Sequence, residues 1–190
     1  MTDDMTDQDT HSLKAVLRQY WKAYGGLRAI FLSPFFGLSI VLLIITSHFW
    51  ITQQWWEQVL SVMPNVLGFT LGGFAIFLGF GDEKFRELIS GQAEGEDGAS
   101  PYMEVSATFL HFVLIQLITL LAAIVVKSIS FDPPDSLKGA LASVGCLRLI
   151  ADMFGYWIFL YGLCITAASA IAIFRVSFWY DSLQSEKRKE

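Results

Sequence analysis

The chain has 190 residues, of which 54% are hydrophobic and 16% charged, and its formal net charge is −5. A soluble domain carries roughly a quarter charged residues, so this composition excludes an ordinary soluble domain and indicates a protein solvated by lipid. The modest acidic charge also argues against nucleic acid as a direct partner.

The first ten residues, 1–10, are acidic and polar, and we predict a disordered N-terminal segment there. A secretory signal peptide begins with basic residues followed by an apolar run, so we expect none here. The first hydrophobic span is therefore expected to act as its own insertion signal.

Residues 11–26 predict an amphipathic helix at the membrane interface. Apolar and aromatic residues recur at spacings of three and four, while three basic residues lie four apart on another face. A helix of this kind lies on an anionic leaflet. The simplest interpretation is an interfacial anchor, and a docking surface or lipid sensor is the alternative. The predicted membrane-surface residues are Lys14, Arg18, Trp21 and Lys22.

Four apolar stretches are long enough to cross a hydrocarbon core of about 30 Å, which takes roughly 20 helical residues. Continuous apolar runs, rather than alternating short segments, favour helices over barrel strands. We therefore predict an all-α polytopic protein, with a four-helix transmembrane domain at 27–180. The predicted spans are 27–50, 59–80, 105–126 and 149–173.

The distribution of basic residues predicts that both termini are cytoplasmic. With the N-terminus inside, ten of the 13 Lys and Arg residues lie on cytoplasmic segments, which fits the positive-inside rule. The Gly- and Glu-rich segment 90–101 then forms a mobile cytoplasmic loop. It is either a solvated connection or an acidic tether for a basic partner. Residues 181–190 form a charged cytoplasmic tail.

A stripe of small residues marks the second span. Its members follow a 4-3-4-3-4 spacing, which places them on one helix face, each within about 40° of a common direction. Small residues let another helix approach closely. We slightly favour packing inside the chain over an oligomer interface. The stripe contains Ser61, Asn65, Gly68, Gly72, Ala75 and Gly79, and Gly155 and Gly162 form a similar face in the fourth span.

Polar residues in the third and fourth spans are candidates for function. Glu104 and His111 share a helix face and form the one candidate for a proton-sensitive element, a structural histidine being the alternative. Gln116 is expected to hydrogen-bond across helices. Arg148 and Asp152, four residues apart, predict an ion pair near the outer surface. The alternative is that this pair belongs to an outward vestibule.

The sequence carries no motif for catalysis, metal binding or a cofactor, including HExxH, GxSxG and Walker patterns. We therefore expect a protein that is not an enzyme and has no cofactor or metal. Three functions remain open. They are a sensor or scaffold for a soluble cytoplasmic partner, a homo-oligomeric ion channel or membrane-perturbing effector, and a small transporter or enzyme accessory.

The stretch PNVLGFTLGGFAIFLGFGDEKF, with the size and the four predicted spans, resembles small membrane proteins of bacterial anti-phage systems. The chain is similar in plan to the membrane subunit of the Kiwa defence system. This resemblance implies a homo-oligomeric inner-membrane component that detects infection at the envelope. It also implies a soluble DNA-binding partner that docks from the cytoplasm, and it carries over no site residue.

Overall fold

The computed structural model describes residues 12–79, 85, 87, 89–90, 99–130 and 145–188, and the secondary structure of these residues is α-helical. The predicted disordered segment and most of the predicted loop lie outside them. The helices are α1 (Leu13–Tyr24), α2 (Gly26–Phe31), α3 (Pro34–Ile45), α4 (Ser47–Thr52), α5 (Trp55–Gly79), α6 (Pro101–Ile129) and α7 (Gly145–Lys187).

By length and composition, α5, α6 and α7 can each cross a membrane. They contain 25, 29 and 43 residues, and at about 1.5 Å per residue each is longer than a hydrocarbon core of about 30 Å. All three extend beyond the predicted spans at one or both ends. The last helix also continues through most of the predicted tail, as far as Lys187.

The first predicted span, 27–50, is divided into three helices. Gly25 ends α1 with a φ of 93°, a conformation that glycine adopts without steric cost. The Ser33 hydroxyl then caps α3, and Pro34 occupies the first turn. Thr46 separates α3 from α4. Because α3 has only 12 residues, its length alone does not establish a fourth crossing.

Charged side chains mark two edges of an apolar band across the long helices. Glu104 and Lys127 on α6 are 23 residues apart, as are Asp152 and Arg175 on α7. Each separation corresponds to about 34 Å, close to the thickness of a bilayer core. We call the two edges the Glu104 rim and the Asp152 rim. The stretches free of Asp, Glu, Lys and Arg between them are 58–79, 105–126 and 153–174.

The bundle core consists of two apolar clusters with buried polar side chains between them. Lipid tails are as apolar as these side chains, so close packing and interhelical hydrogen bonds hold the helices together. The cluster at the Asp152 rim contains Trp50, Trp55, Trp56, Val59, Met63, Ala123, Tyr156, Phe159 and Leu160. The cluster at the Glu104 rim contains Phe77, Phe85, Ile89, Val105, Phe109, Phe112, Tyr161, Ile165, Ala172 and Val176.

Candidate functional site

His111 lies where α1, α6 and α7 meet, and only 3% of its surface is exposed. The Tyr20 hydroxyl lies 2.8 Å from its Nδ1, and the Tyr161 hydroxyl lies 3.2 Å from its Nε2. Tyr24 stacks on the imidazole, with 4.1 Å between ring centroids and 22° between ring planes. We call these four residues the tyrosine–histidine cluster.

The tyrosine–histidine cluster joins α1 to two long helices. A neutral imidazole has one N–H donor and one acceptor nitrogen, so one of the two bonded tyrosines accepts and the other donates. Burial raises the pKa of Tyr20 to about 12, and the neighbouring Tyr24 adds to this increase. The Tyr20 phenol is therefore neutral at physiological pH and remains able to hydrogen-bond the ring.

The sequence of α1 explains how it presents these tyrosines. The Ser12 hydroxyl accepts a hydrogen bond from the Ala15 amide at 3.2 Å and begins the helix. Tyr20 and Tyr24 are four residues apart, so both point to the same neighbouring helix. The predicted membrane-surface residues point elsewhere and are all exposed; they are Lys14, Arg18, Trp21 and Lys22.

The structure differs from the expected pairing of Glu104 with His111. In the described part of the chain, no hydrogen bond or ion pair joins these two side chains. They are seven residues apart, which places them about 10 Å apart along the helix axis. The Glu104 carboxylate instead lines a cavity together with Arg175. Glu104 and His111 therefore belong to two different sites.

Gln116 connects α5, α6 and α7 midway between the rims. Its Nε2 donates to the Thr70 hydroxyl at 2.9 Å and to the Thr166 hydroxyl at 3.3 Å. Both threonines donate in turn to carbonyls of their own helices. The Gln116 side chain is fully buried, and its Oε1 has no hydrogen-bond partner among the described residues. The amide therefore contributes cross-helix bonds while one acceptor stays unsatisfied.

Asp152 has two partners at the opposite rim. The Trp55 indole N–H donates to its Oδ1 at 2.9 Å, whereas Arg148 Nε lies 3.8 Å from its Oδ2. The Arg148 side chain is 71% exposed, so the indole contact is the more protected one. Both members of the predicted pair also line a cavity of about 440 Å³. The predicted ion pair therefore lies in the wall of this cavity, which is also where the alternative interpretation expects a vestibule.

The small-residue stripe of α5 faces outward. All six of its residues are exposed. A Cβ atom added at Gly68, Gly72 or Gly79 would meet nothing within 4 Å. The described residues therefore do not support the expectation that this stripe packs inside the chain.

Different glycines provide the close contacts inside the chain. A Cβ at Gly155 would lie 2.5 Å from the Trp55 ring, and one at Gly162 would lie 3.0 Å from Met63 Cε. Gly73, which lies outside the predicted stripe, is also packed, because its Cβ would lie 3.0 Å from Ile173 Cδ1. The two glycines predicted in the fourth span thus lie against α5.

The contacts that sequence patterns missed involve residues distant in the chain. Tyr20, Tyr24 and Tyr161 contribute both ring surface and hydroxyl groups, although α1 periodicity indicated only an apolar face. The four-residue spacing of Tyr20 and Tyr24 was the one available signal. Comparison with protein-family models, curated proteins and solved structures finds no match for the chain.

Proposed function

We propose that the protein is a sensor or scaffold subunit of a bacterial inner membrane that recruits or regulates a soluble cytoplasmic partner. The observation that carries the proposal is the tyrosine–histidine cluster, because it links the basic helix α1 to two helices of the apolar band. A movement of α6 against α7 changes the distance between His111 and Tyr161 and so repositions α1. The resemblance to anti-phage membrane proteins supplies the setting, in which infection perturbs the envelope.

Four crossings with cytoplasmic termini belong to this proposal. Phe35, at the start of α3, lines a cavity with Glu104, whereas Trp50, in α4, lines the cavity with Asp152. The helices α3 and α4, with 12 and 6 residues, together provide about 27 Å of helix between these two cavities, which supports a fourth crossing. The excess of basic residues supports a cytoplasmic position for the Glu104 rim.

Copurification of a partner tests the sensor function. The chain is purified in mild detergent from cells that express its genomic neighbours, and soluble proteins that copurify are identified. Tyr161→Phe removes the hydroxyl beside His111, and Tyr156→Phe, at the other rim, is the matched control. We expect Tyr161→Phe to reduce partner recovery, since α1 loses a fixed position, while the control retains it. Equal recovery from both variants, or no soluble partner at all, would contradict the proposal.

Homo-oligomerisation through the exposed stripe is a further part of the proposal. Small residues allow a helix of a second copy to approach closely, and the stripe has no partner among the described residues of one chain. Gly72→Leu is expected to dissociate the oligomer in detergent. Gly37→Leu is the matched control, because the space beside Gly37 is also open. An oligomer of unchanged mass in Gly72→Leu would remove the stripe from the interface.

A homo-oligomeric channel or membrane-perturbing effector is the second candidate function. The position of Ser61 and Asn65 on the exposed stripe favours it, because these polar groups would face a space shared by several copies. Apolar clusters fill the interior of the single chain at both rims, so a pore would lie between subunits. Conductance in planar bilayers that Asn65→Leu abolishes would support this function, and electrically silent oligomers would refute it.

A further inference from the structure

A cavity of about 240 Å³ opens at the Glu104 rim between α3, α6 and α7. This volume is several times the roughly 30 Å³ that one water molecule occupies in liquid water. Glu104 and Arg175 contribute opposite charges to its wall, and Phe35, Ala168 and Ala172 contribute apolar surface. The cavity wall therefore combines apolar surface with both signs of charge.

Glu104 and Arg175 line the same cavity but do not form an ion pair within 4 Å. The described charges of the opposite rim behave differently, since Lys127 Nζ lies 2.9 Å from a Glu57 carboxylate oxygen. The Arg175 guanidinium is held 5.3 Å from the centroid of the Trp179 ring. The two separated charges leave room for a ligand that carries an anion and a cation of its own.

The depth of the cavity indicates which molecule supplies such a group. Glu104 and Arg175 lie about 34 Å along their helices from the charges of the opposite rim, so they lie at the level of lipid headgroups. The neighbouring α7 side chains Ile171 and Phe174 are 54% and 70% exposed and face the lipid. A phospholipid at this position places its headgroup beside the charges and its acyl chains beside the apolar residues.

We propose that this cavity binds the headgroup of a phosphatidylethanolamine molecule. Arg175 contacts the phosphate, because a guanidinium matches phosphate oxygens in geometry and charge. The Glu104 carboxylate accepts hydrogen bonds from the primary ammonium, which has three donors. Phosphatidylcholine has a quaternary ammonium without N–H donors, and phosphatidylglycerol has no cation. The inference depends on the membrane placement of the helices and not on the sensor function.

Native mass spectrometry tests the site directly. The purified protein is mixed with equal amounts of phosphatidylethanolamine, phosphatidylcholine and phosphatidylglycerol of identical acyl chains, and bound lipids are counted. We expect a preference for phosphatidylethanolamine of about tenfold, which corresponds to one hydrogen bond to a charged group. Glu104→Gln should abolish this preference and keep phospholipid bound. Arg175→Gln should weaken the binding of all three lipids.

Control variants and competitors make each outcome decisive. Glu57→Gln, which removes an exposed carboxylate from the opposite rim, should bind lipids as the wild type does. Free phosphoethanolamine should not displace the lipid, and displacement would indicate a soluble ligand instead. The proposal is overturned if the wild type shows no preference or if Glu104→Gln retains it. Because Glu104 is exposed, that variant remains informative even if Arg175→Gln fails to fold.

Discussion

Substitution of Gly155 by alanine should destabilise the bundle strongly, although alanine is the better helix former. The added Cβ would lie 2.5 Å and 2.6 Å from two carbons of the Trp55 ring. That ring is 1% exposed, and its N–H is bonded to Asp152 at 2.9 Å. The ring therefore cannot move aside without leaving its pocket or stretching this bond.

The expected loss in the free energy of unfolding follows from three contributions. Overpacking of a filled core costs about 1–3 kcal/mol. Loss of a hydrogen bond to a charged group costs about 1.5–3 kcal/mol, while the change from Gly to Ala returns about 1 kcal/mol of helix propensity. The net destabilisation of Gly155→Ala is roughly 3 kcal/mol, more than a hundredfold in the unfolding equilibrium constant.

Unfolding in mixed micelles, followed by tryptophan fluorescence, measures this difference. Gly37→Ala is the matched control, because its new methyl group meets nothing within 4 Å of its own chain and it lies outside the small-residue stripe. The stability of the control should equal that of the wild type or exceed it by up to about 1 kcal/mol. If Gly155→Ala proves as stable as Gly37→Ala, the close contact with Trp55 is not a real constraint.

Three further predictions concern buried or partly buried polar groups. Gln116→Leu should stay within about 1 kcal/mol of wild-type stability, because it removes an unsatisfied oxygen together with two hydrogen bonds; a larger loss in the same unfolding assay would contradict this. Asp152→Asn should have little effect, since an amide oxygen still accepts from Trp55 and the pair with exposed Arg148 contributes little. Asp152→Leu should lose about 1–3 kcal/mol by leaving the indole N–H unpaired, and equal unfolding of the two variants would refute this reasoning. Tyr20→Phe should make α1 more sensitive to limited proteolysis with insertion unchanged, and an identical cleavage rate would show that its hydroxyl does not hold α1.

The lengths of the apolar runs predicted α5, α6 and α7, because a lipid core requires about 20 consecutive apolar residues and such runs can be counted in the sequence. The first predicted span is divided at residues that start or end helices, and an average hydropathy over the span does not detect such residues. Ser33 and Pro34 together are a helix start, and α3 ends before Thr46, whose hydroxyl donates to the Leu42 carbonyl at 2.7 Å. Helix α7, in contrast, is longer than its predicted span. It continues to Lys187 because the polar and charged residues that follow the apolar run include good helix formers.

The candidate site was less predictable because periodicity assigns a face to a residue but not a neighbour. The exposed stripe on α5 and the packed face containing Gly155 and Gly162 look alike in sequence. Only the arrangement of the helices distinguishes them. His111 was predicted from its polar side chain within an apolar span, but its hydrogen-bond partners Tyr20 and Tyr161 are 91 and 50 positions away. Contacts at such separations follow from tertiary structure.

The unbroken length of α7 gives the molecule a mechanical property. Its 43 residues form a rod of about 64 Å. Near one end, Asp152 is tethered to Trp55, and the other end extends well past Arg175. A rocking motion of about 10° around Asp152 lies within the tilt range of membrane helices. It displaces Lys187, which is about 52 Å away along the helix, by about 9 Å. A small tilt of α7 at one surface would therefore produce a larger displacement at the other end of the helix.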